Sequence, residues 1–415
     1  MRLVHLSDLH LGFRQYQRVT PGGINQREAD VAGTFRRAIE RTIALAPQLV
    51  LVAGDVFHNV RPTNPAILDA FAQFSRLRAA LPGVPIVMIA GNHDTPRTAE
   101  TGGILRLFRN LDIEVVDTES RQIAFPSLDL SVYAVPDVDS VRLTHFEPDP
   151  AARWNVLLLH GAIEGMLPAF VAPEERALRE IPLARLGADR WDYVALGHYH
   201  VHSQVAPNAW YAGAIEYTSA NPWGELADER QWRVQGKGIV EHDLATGAHQ
   251  FHALASSRPL LDLQPIHAAG MSPADIDAAV AQRLDEVPGG IDEKIVRLRV
   301  LDVPRHLARE LDHRALREYK RRALHFHLDT RRPDIVRPTA GSGAPGRRPS
   351  LADLVRTTLE NRVLPGDVER EPLVALGLRY LNEAEDIGRA SGALGAALPI
   401  PDGESDDDLA GPARW

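Results

Sequence analysis

At 415 residues and 45.7 kDa, with 44% hydrophobic and 24% charged residues, the chain is too long for one ordinary core, and a large domain followed by smaller ones is expected. No apolar run approaches the roughly 20 residues that span a bilayer, so a soluble protein without a helical membrane span is expected. Cysteine is absent, which excludes disulfides and thiolate metal sites; any metal must be held through nitrogen and oxygen by the 17 histidines and 55 carboxylates. A net charge of −9 argues against a protein that coats itself in nucleic acid, but the charge is segregated: Arg305 to Arg348 holds twelve Lys/Arg against five Asp/Glu, and Pro401 to Trp415 five acids against one Arg. The opening run MRLVHLSDLH reads as a short strand rather than a basic segment ahead of an apolar stretch, so a cytoplasmic location is expected.

In chain order, Arg2 to Ser7 reads as a strand, Arg27 to Leu45 as a helix with Phe35, Ile39 and Ile43 at i/i+4 spacing, and Leu49 to Ala53 as a fully apolar strand. The alternation continues with a helix over Pro65 to Ala80 and strands at Ile86 to Ile89, Val156 to Leu159 and Tyr193 to Leu196, which favours an α/β sheet with helices on its faces. A β-rich closing segment includes Trp210 to Ala212 and Ile239 to Asp243. Beyond about residue 256, a helix over Ser272 to Val287, a strand over Lys294 to Val303 and a basic helix over His306 to Ala323 suit a small α/β cap. Residues 331–349 form a Pro/Gly/Arg linker. Ser350 and Asp353 then start an apolar-striped helical segment that either packs on its own chain or binds a partner. The acidic end is expected to be disordered.

Five clusters each follow a predicted strand: Asp8-Leu9-His10-Leu11-Gly12, Gly54-Asp55-Val56-Phe57-His58, Gly91-Asn92-His93-Asp94, His160-Gly161 and Gly197-His198-Tyr199-His200. Ligands of open α/β sheets gather outside the carboxyl ends of strands, so these clusters should converge in one crevice. Cutting a phosphodiester with two divalent ions about 3.5–4 Å apart requires a carboxylate shared between them. Asp55 is the candidate bridge, with Asp8, His10 and His200 completing one ion and Asn92, His160 and His198 the other. Imidazole, carboxylate and carboxamide donors without thiolate suit manganese or ferrous iron better than a closed zinc site. Singly, an Asp-x-His is a surface or cap feature, a Gly-Asp a turn and an Asn-His-Asp a loop; their ordered recurrence after apolar strands makes a shared site the better account. His5 reads as a packed core histidine, and His202, His242, His325 and His327 as solvated or structural. Trp210, Tyr211, Tyr217 and Trp223 fit core packing better than base stacking.

The ordered set DLHLG, GDVFH, GNHD, H and GHYH resembles the calcineurin-like metallophosphoesterase superfamily over roughly residues 1–243. Within it the chain is similar to the SbcD-type DNA repair nucleases. That narrower likeness rests on His58 inside GDVFH, the Arg27/Asp30/Phe35 helix, Tyr211-Ala212-Gly213 running into Glu216-Tyr217-Thr218-Ser219, and the Lys237-Gly238 turn. The resemblance implies an α/β fold: a metallophosphoesterase β-sandwich flanked by helices, with a small α/β capping domain and carboxy-terminal helices. Its parts would be a nuclease domain over 1–255, a DNA-guiding cap over 256–330, the linker over 331–349, a helical partner-binding segment over 350–390 and a tail over 391–415.

It further implies that Asp8, His10, Asp55, Asn92, His160, His198 and His200 hold two divalent ions, manganese above all, that His93 is the catalytic histidine and that His58 positions the DNA strand. A histidine beside a ligand and not needed as one can face the phosphate and assist the leaving oxygen. Asp94 either orients that imidazole or caps a turn. Arg314, Arg317, Lys320, Arg321 and Arg322 are either DNA phosphate contacts or an ordinary solvated helix face. The implied activity is 3′→5′ exonuclease action on duplex ends and endonuclease action on single strands, by a homodimer working with an SbcC-type coiled-coil ATPase. Two rivals stand beside it. A phosphoesterase of the same fold for small phosphodiesters or phosphoproteins would not need the cap. A non-catalytic scaffold that recruits an ATPase to DNA would not need the full ligand set together with His93.

Overall fold

Strands whose residues are apolar without alternation must bury both faces, and here they do so between helices on one side and a second sheet on the other. The computed structural model describes residues 1–95, 103–137, 146–166, 180–333, 351–360 and 370–392. The chain divides into two compact units, 1–334 and 335–415.

The first sheet runs in the order β14-β13-β1-β2-β3-β4. Its strands are β1 (Arg2–Leu6), β2 (Leu49–Ala53), β3 (Ile86–Ile89), β4 (Glu114–Val116), β13 (Gly238–Asp243) and β14 (His249–Ala253). β1 to β4 are parallel, and β13 closes antiparallel on β1. The second sheet, in the order β11-β12-β10-β7-β6-β5, comprises β5 (Arg121–Phe125), β6 (Leu130–Val135), β7 (Trp154–His160), β10 (Tyr193–Gly197), β11 (Ser203–Ala206) and β12 (Ala209–Tyr211). A short parallel pair, β8 (Ala162–Ile163) and β9 (Glu180–Ile181), lies beside it in sequence.

The period-two alternation of side chains divides the core into layers. Leu3, Leu49, Leu51, Val87 and Ile89 meet Val132, Val156, Leu158 and Ala195 of the second sheet. From the same strands of the first sheet, Val4, Leu6, Val50, Val52 and Met88 face helices α1 (Gln26–Leu45) and α2 (Asn64–Ala80) through Phe35, Ile39, Phe74 and Leu77. Each such fully buried side chain contributes roughly 1.5–3 kcal/mol. The outer face of the second sheet is covered by Trp191, Leu186 and Tyr199. The fold is thus a two-sheet sandwich flanked by helices, as the resemblance implied. The strand–helix alternation alone had suggested a single sheet, because most of the strands that complete the second one are short or half polar.

A polar helix unforeseen in the sequence, α3 (Pro222–Trp232), precedes β13. Behind β14 a parallel sheet of β15 (Leu260–His267), β16 (Ile295–Leu301) and β17 (His325–Thr330) packs on α4 (Pro273–Asp285), α5 (Arg305–Glu310) and α6 (His313–Arg322) around Ile276, Val280, Leu298 and Phe326. The single basic helix expected over 306–323 is broken at Leu311. That residue is buried and extended, and the Asp312 carboxylate caps a new helix by accepting from the amides of Arg314 (2.8 Å) and Ala315 (3.0 Å).

In the second unit, α7 (Leu351–Glu360) and α8 (Arg370–Gly392) pack together, with Leu359 over Gly377. Of the expected linker and tail, residues from 334 to 350 and from 393 onward lie outside the described residues.

Candidate metal centre

All five motif clusters leave the carboxyl ends of parallel strands, at the rim where the two sheets meet. β1, β2 and β3 supply Asp8, His10, Asp55, Asn92 and His93; β7 and β10 supply His160, His198 and His200. The loops after β1 and β2 are laced by backbone bonds from Asp8 N to Gly54 O (3.1 Å), His10 N to Asp55 O (2.9 Å) and Leu11 N to Val56 O (2.9 Å). Across the sandwich, Nδ1 of His160 bonds the carbonyl oxygen of Ala53 at 2.8 Å, which turns Nε2 to the rim. The sheets come this close because Gly54 and Gly197 lack a Cβ. One at Gly54 would lie 2.4 Å from His160 Nδ1, and one at Gly197 would lie 1.8 Å from Ala53 O.

Four of the expected ligands hold left-handed backbone conformations: Asp8 (φ 51°), His10 (φ 45°), Asp55 (φ 51°) and His198 (φ 109°). Such conformations cost non-glycine residues roughly 1–2 kcal/mol each, and their gathering at one rim marks a site where side-chain aim outweighs stability.

Donor atoms converge in two overlapping groups. The ligand atoms of Asp8, His10 and His200 lie within 4.8 Å of one another, as do those of Asp8, Asp55 and His160. Nε2 of His10 and Nε2 of His200 are 3.0 Å apart, and Asp55 Oδ2 stands 3.7 Å from His10 Nε2 and 3.5 Å from His160 Nε2. Asn92 Oδ1 is 3.2 Å from His160 Nε2 and 3.1 Å from His198 Nδ1. Nitrogen and oxygen donors facing one another at this rim, with Asp8, His10, Asp55 and His160 buried, His198 and His200 half-buried, Asn92 exposed and Asp55 reaching both groups, fit divalent cations of hard or borderline character. Asp8 also belongs to both groups, an overlap the spacing alone did not indicate.

Charge in the rim follows from burial and crowding. Burial pushes the Asp55 carboxyl up, against the pull of His160, with Asp8 adding to the rise. Burial and the neighbouring His200 and His93 drive His10 well below the ordinary imidazole range, and burial with His160 brings His198 down to about 3. Both rings are therefore neutral, the form that binds a metal. Burial alone would lower His160 as well, but Asp55 and Asp8 outweigh it and raise the ring to about 8.

His93 and His58 sit at the same rim, and His10, His58 and His93 form a third convergent group. His93 Nδ1 is held at 2.7 Å by the carbonyl oxygen of His58, so its Nε2 is the nitrogen left for chemistry. The His58 ring stacks on that of His93 at 5.1 Å and rests edge-on against Phe13 at 4.9 Å. Burial, with His93 and His200 adding to it, depresses His58 to about 4. Asp94 takes the turn-capping alternative. Its carboxylate accepts the amides of Val56 (3.0 Å), Phe57 (2.9 Å) and Gly91 (3.1 Å), tying the second and third motifs together, and the His93 imidazole is oriented by His58 instead. Burial and the nearby Asp55 raise the Asp94 carboxyl to about 7 in spite of the three amides.

Of the basic residues on α6, Arg321 pairs with Glu318 at 2.6 Å and Arg322 with Asp292 at 2.8 Å, while Arg314, Arg317 and Lys320 form no ion pair among the described residues. The β15–β17 sheet and its helices are fastened to the sandwich near the first motif: Arg258 bonds Asp30 at 2.9 Å, Arg18 bonds the carbonyl oxygen of Arg321 at 2.7 Å, and Tyr16 stacks on His325 at 4.1 Å. His5 is fully buried against the Tyr193 hydroxyl (3.2 Å), and Tyr211 is a core residue whose hydroxyl donates to Gly161 O at 2.7 Å.

Residues 1–202, which hold most strands of the two sheets and this set of histidines and carboxylates at their strand ends, match the calcineurin-like phosphoesterase family. More particularly, the chain is similar to archaeal proteins named DNA double-strand break repair protein Mre11. The one from Methanocaldococcus jannaschii is 26% identical over 251 residues, 59% of this chain and 63% of that protein. The one from Thermoplasma acidophilum is 25% identical over 315 residues, 72% and 73% respectively, and that from Haloferax volcanii is 31% identical over 228 residues, 53% and 46%. The chain thus spans less than two thirds of the Methanocaldococcus protein and 49% of its Sulfurisphaera tokodaii counterpart. No helix among the described residues is long and apolar enough to cross a membrane.

Proposed function

We propose that the chain is a two-metal DNA nuclease that processes ends at double-strand breaks. The observation that carries this reading is the convergence of Asp8, His10, Asp55, His160 and His200 at one rim with His93 beside them. The likeness to proteins of DNA double-strand break repair supports DNA as the substrate. Bound divalent ions, manganese on this reading, supply Lewis acidity to the phosphoryl oxygens and lower the pKa of a water. The protein holds the donors: Asp55 spans both positions, Asp8, His10 and His200 serve one, and Asn92, His160 and His198 the other. His93, fixed through Nδ1–H, presents Nε2 to the phosphate; as an imidazolium, with a proton on each ring nitrogen, it donates from Nε2 to the charged oxygens and passes that proton to the leaving group. His58, backed by Phe13, stands beside it and guides the strand. Arg314, Arg317 and Lys320 offer phosphate contacts on α6, with Arg321 and Arg322 already paired to acids. The active form is a cytoplasmic homodimer with 3′→5′ exonuclease and single-strand endonuclease action, coupled through residues 350–390 to an SbcC-type ATPase.

The test is release of nucleotides from a 3′-labelled duplex by purified protein with manganese. Activity that disappears on chelation and in Asp55→Ala supports the reading. A wild type that splits a small phosphodiester yet leaves DNA intact, with and without such an ATPase, overturns it in favour of the small-substrate rival.

A further inference from the structure

Helix α3 turns two carboxylates inward, Glu225 and Glu229, which are 7% and 5% exposed. Buried carboxylates need partners. Lys237, 3% exposed, supplies one to both: it forms an ion pair with Glu225 and another with Glu229 at 3.1 Å, and it donates to the carbonyl oxygen of His200 at 2.9 Å. Tyr217 lies under the ammonium, its ring centroid 4.7 Å away, and donates its hydroxyl to Glu229 at 2.9 Å. The Ser219 amide adds a bond to Glu225 at 3.2 Å.

The cluster ends at His200. One ring nitrogen, Nε2, faces His10 and the first donor group, and the other, Nδ1, lies 3.5 Å from Glu225 Oε1 with no further hydrogen-bond partner among the described residues. An imidazole that gives the Nε2 lone pair to a cation carries its proton on Nδ1, and that proton requires a buried acceptor. Charge leads to the same place. Two carboxylates against one ammonium leave the cluster one negative charge in excess, which a cation-bound imidazole balances.

We infer that Glu225 is a positioning residue: held by Lys237, it accepts the Nδ1 proton of His200, sets the aim of that ring and raises its strength as a ligand. This role rests on the reading of Asp8, His10 and His200 as the ligands of one ion.

The test is calorimetric titration of the metal-free full-length protein with manganese chloride. Wild type is expected to take up two ions. Glu225→Gln keeps the size of the side chain and removes its charge, and should weaken one ion about 10–100-fold while sparing the other. Glu225→Asp keeps the charge but draws the carboxylate back by about 1.5 Å, and should weaken the same ion. Glu229→Gln disturbs Lys237 and Tyr217 equally but does not touch His200, and should leave both ions within about two-fold of wild type. In a His200→Ala background, Glu225→Gln should add less than about two-fold, because its action runs through the missing ring. Wild-type affinities in Glu225→Gln and Glu225→Asp, an equal loss in Glu229→Gln, or a full additional loss on His200→Ala would each overturn the inference while leaving the metal reading intact. A wild type that takes up fewer than two ions would end the metal reading itself, and the role of Glu225 with it.

Discussion

Gly197→Ala separates the geometry of the rim from its chemistry, because it alters no donor atom. The backbone of Gly197 lies in the seam between the sheets, and a Cβ there would fall 1.8 Å from Ala53 O, 2.6 Å from Ser7 Oγ and 2.9 Å from His160 Nδ1. Ordinary contact needs about 3.4 Å or more, so the carboxyl ends of β2 and β10 must part by over an ångström or the chain must distort. Overpacking of this kind costs typically about 1–3 kcal/mol, which in a domain of this size lowers the melting temperature by roughly 2–10 °C. The parting falls between Asp8, His10 and Asp55 on one sheet and His160, His198 and His200 on the other, and it breaks the 2.8 Å bond that sets the aim of the His160 ring. Thermal unfolding of the metal-free protein should therefore show a modest loss of stability with retained secondary structure, and manganese titration should show at least one ion lost or strongly weakened. A Gly197→Ala protein with wild-type melting temperature and two tightly bound ions would refute the idea that contact between the sheets assembles the site.

His93→Ala should lower kcat for a phosphodiester by roughly 10²–10⁴-fold while manganese stoichiometry stays at two, since His93 is assigned to proton transfer and not to ligation; a lost ion would make it a ligand. Burial depresses His5 to about 3, His242 to about 4 and His249 to about 3, so the folded protein keeps them neutral where the unfolded chain takes up protons below about pH 6.5. The contribution of these three rings is full above that pH and is lost as pH drops towards 4, by up to about 1.4 kcal/mol per pH unit for fully buried His5 alone, and the raised Asp94 and His160 offset only part of it. Urea midpoints at pH 7.5 and 5.0, measured with chelator, should show the lower value at pH 5.0, and a flat or rising profile would contradict this. Replacing Arg314, Arg317 and Lys320 together with alanine should reduce the salt dependence of duplex binding by about 0.9 per lost phosphate contact and spare hydrolysis of a small phosphodiester; an unchanged salt slope would leave α6 a solvated face.

The parts of the fold that could be read in the sequence are those where one force acts alone. β2, β3, β10 and the Val156–Leu159 stretch of β7 are buried on both faces and spell continuous apolar runs, β1 is apolar apart from Arg2 and the buried His5, and the motif after each marks where the chain leaves the sheet. The second sheet was less visible because β11 and β12 are short and β5 alternates with exposed polar residues. Helix α3 gave no apolar stripe because its inward face carries Glu225 and Glu229, whose burial depends on Lys237 from the turn that follows the helix. That lysine was legible only as half of a Lys-Gly turn. The break at Leu311 was hidden by the basic periodicity on either side of it. The two roles open to Asp94 depend on where three amide groups point, which the order of residues does not encode.

The most direct test of a shared metal centre is the anomalous signal from a crystal grown with manganese. The geometry predicts two peaks about 3.5–4 Å apart, one bounded by Asp8, His10 and His200, the other by Asn92, His160 and His198, with the Asp55 carboxylate between them. A single peak, or manganese bound elsewhere with these seven side chains left untouched, would contradict it.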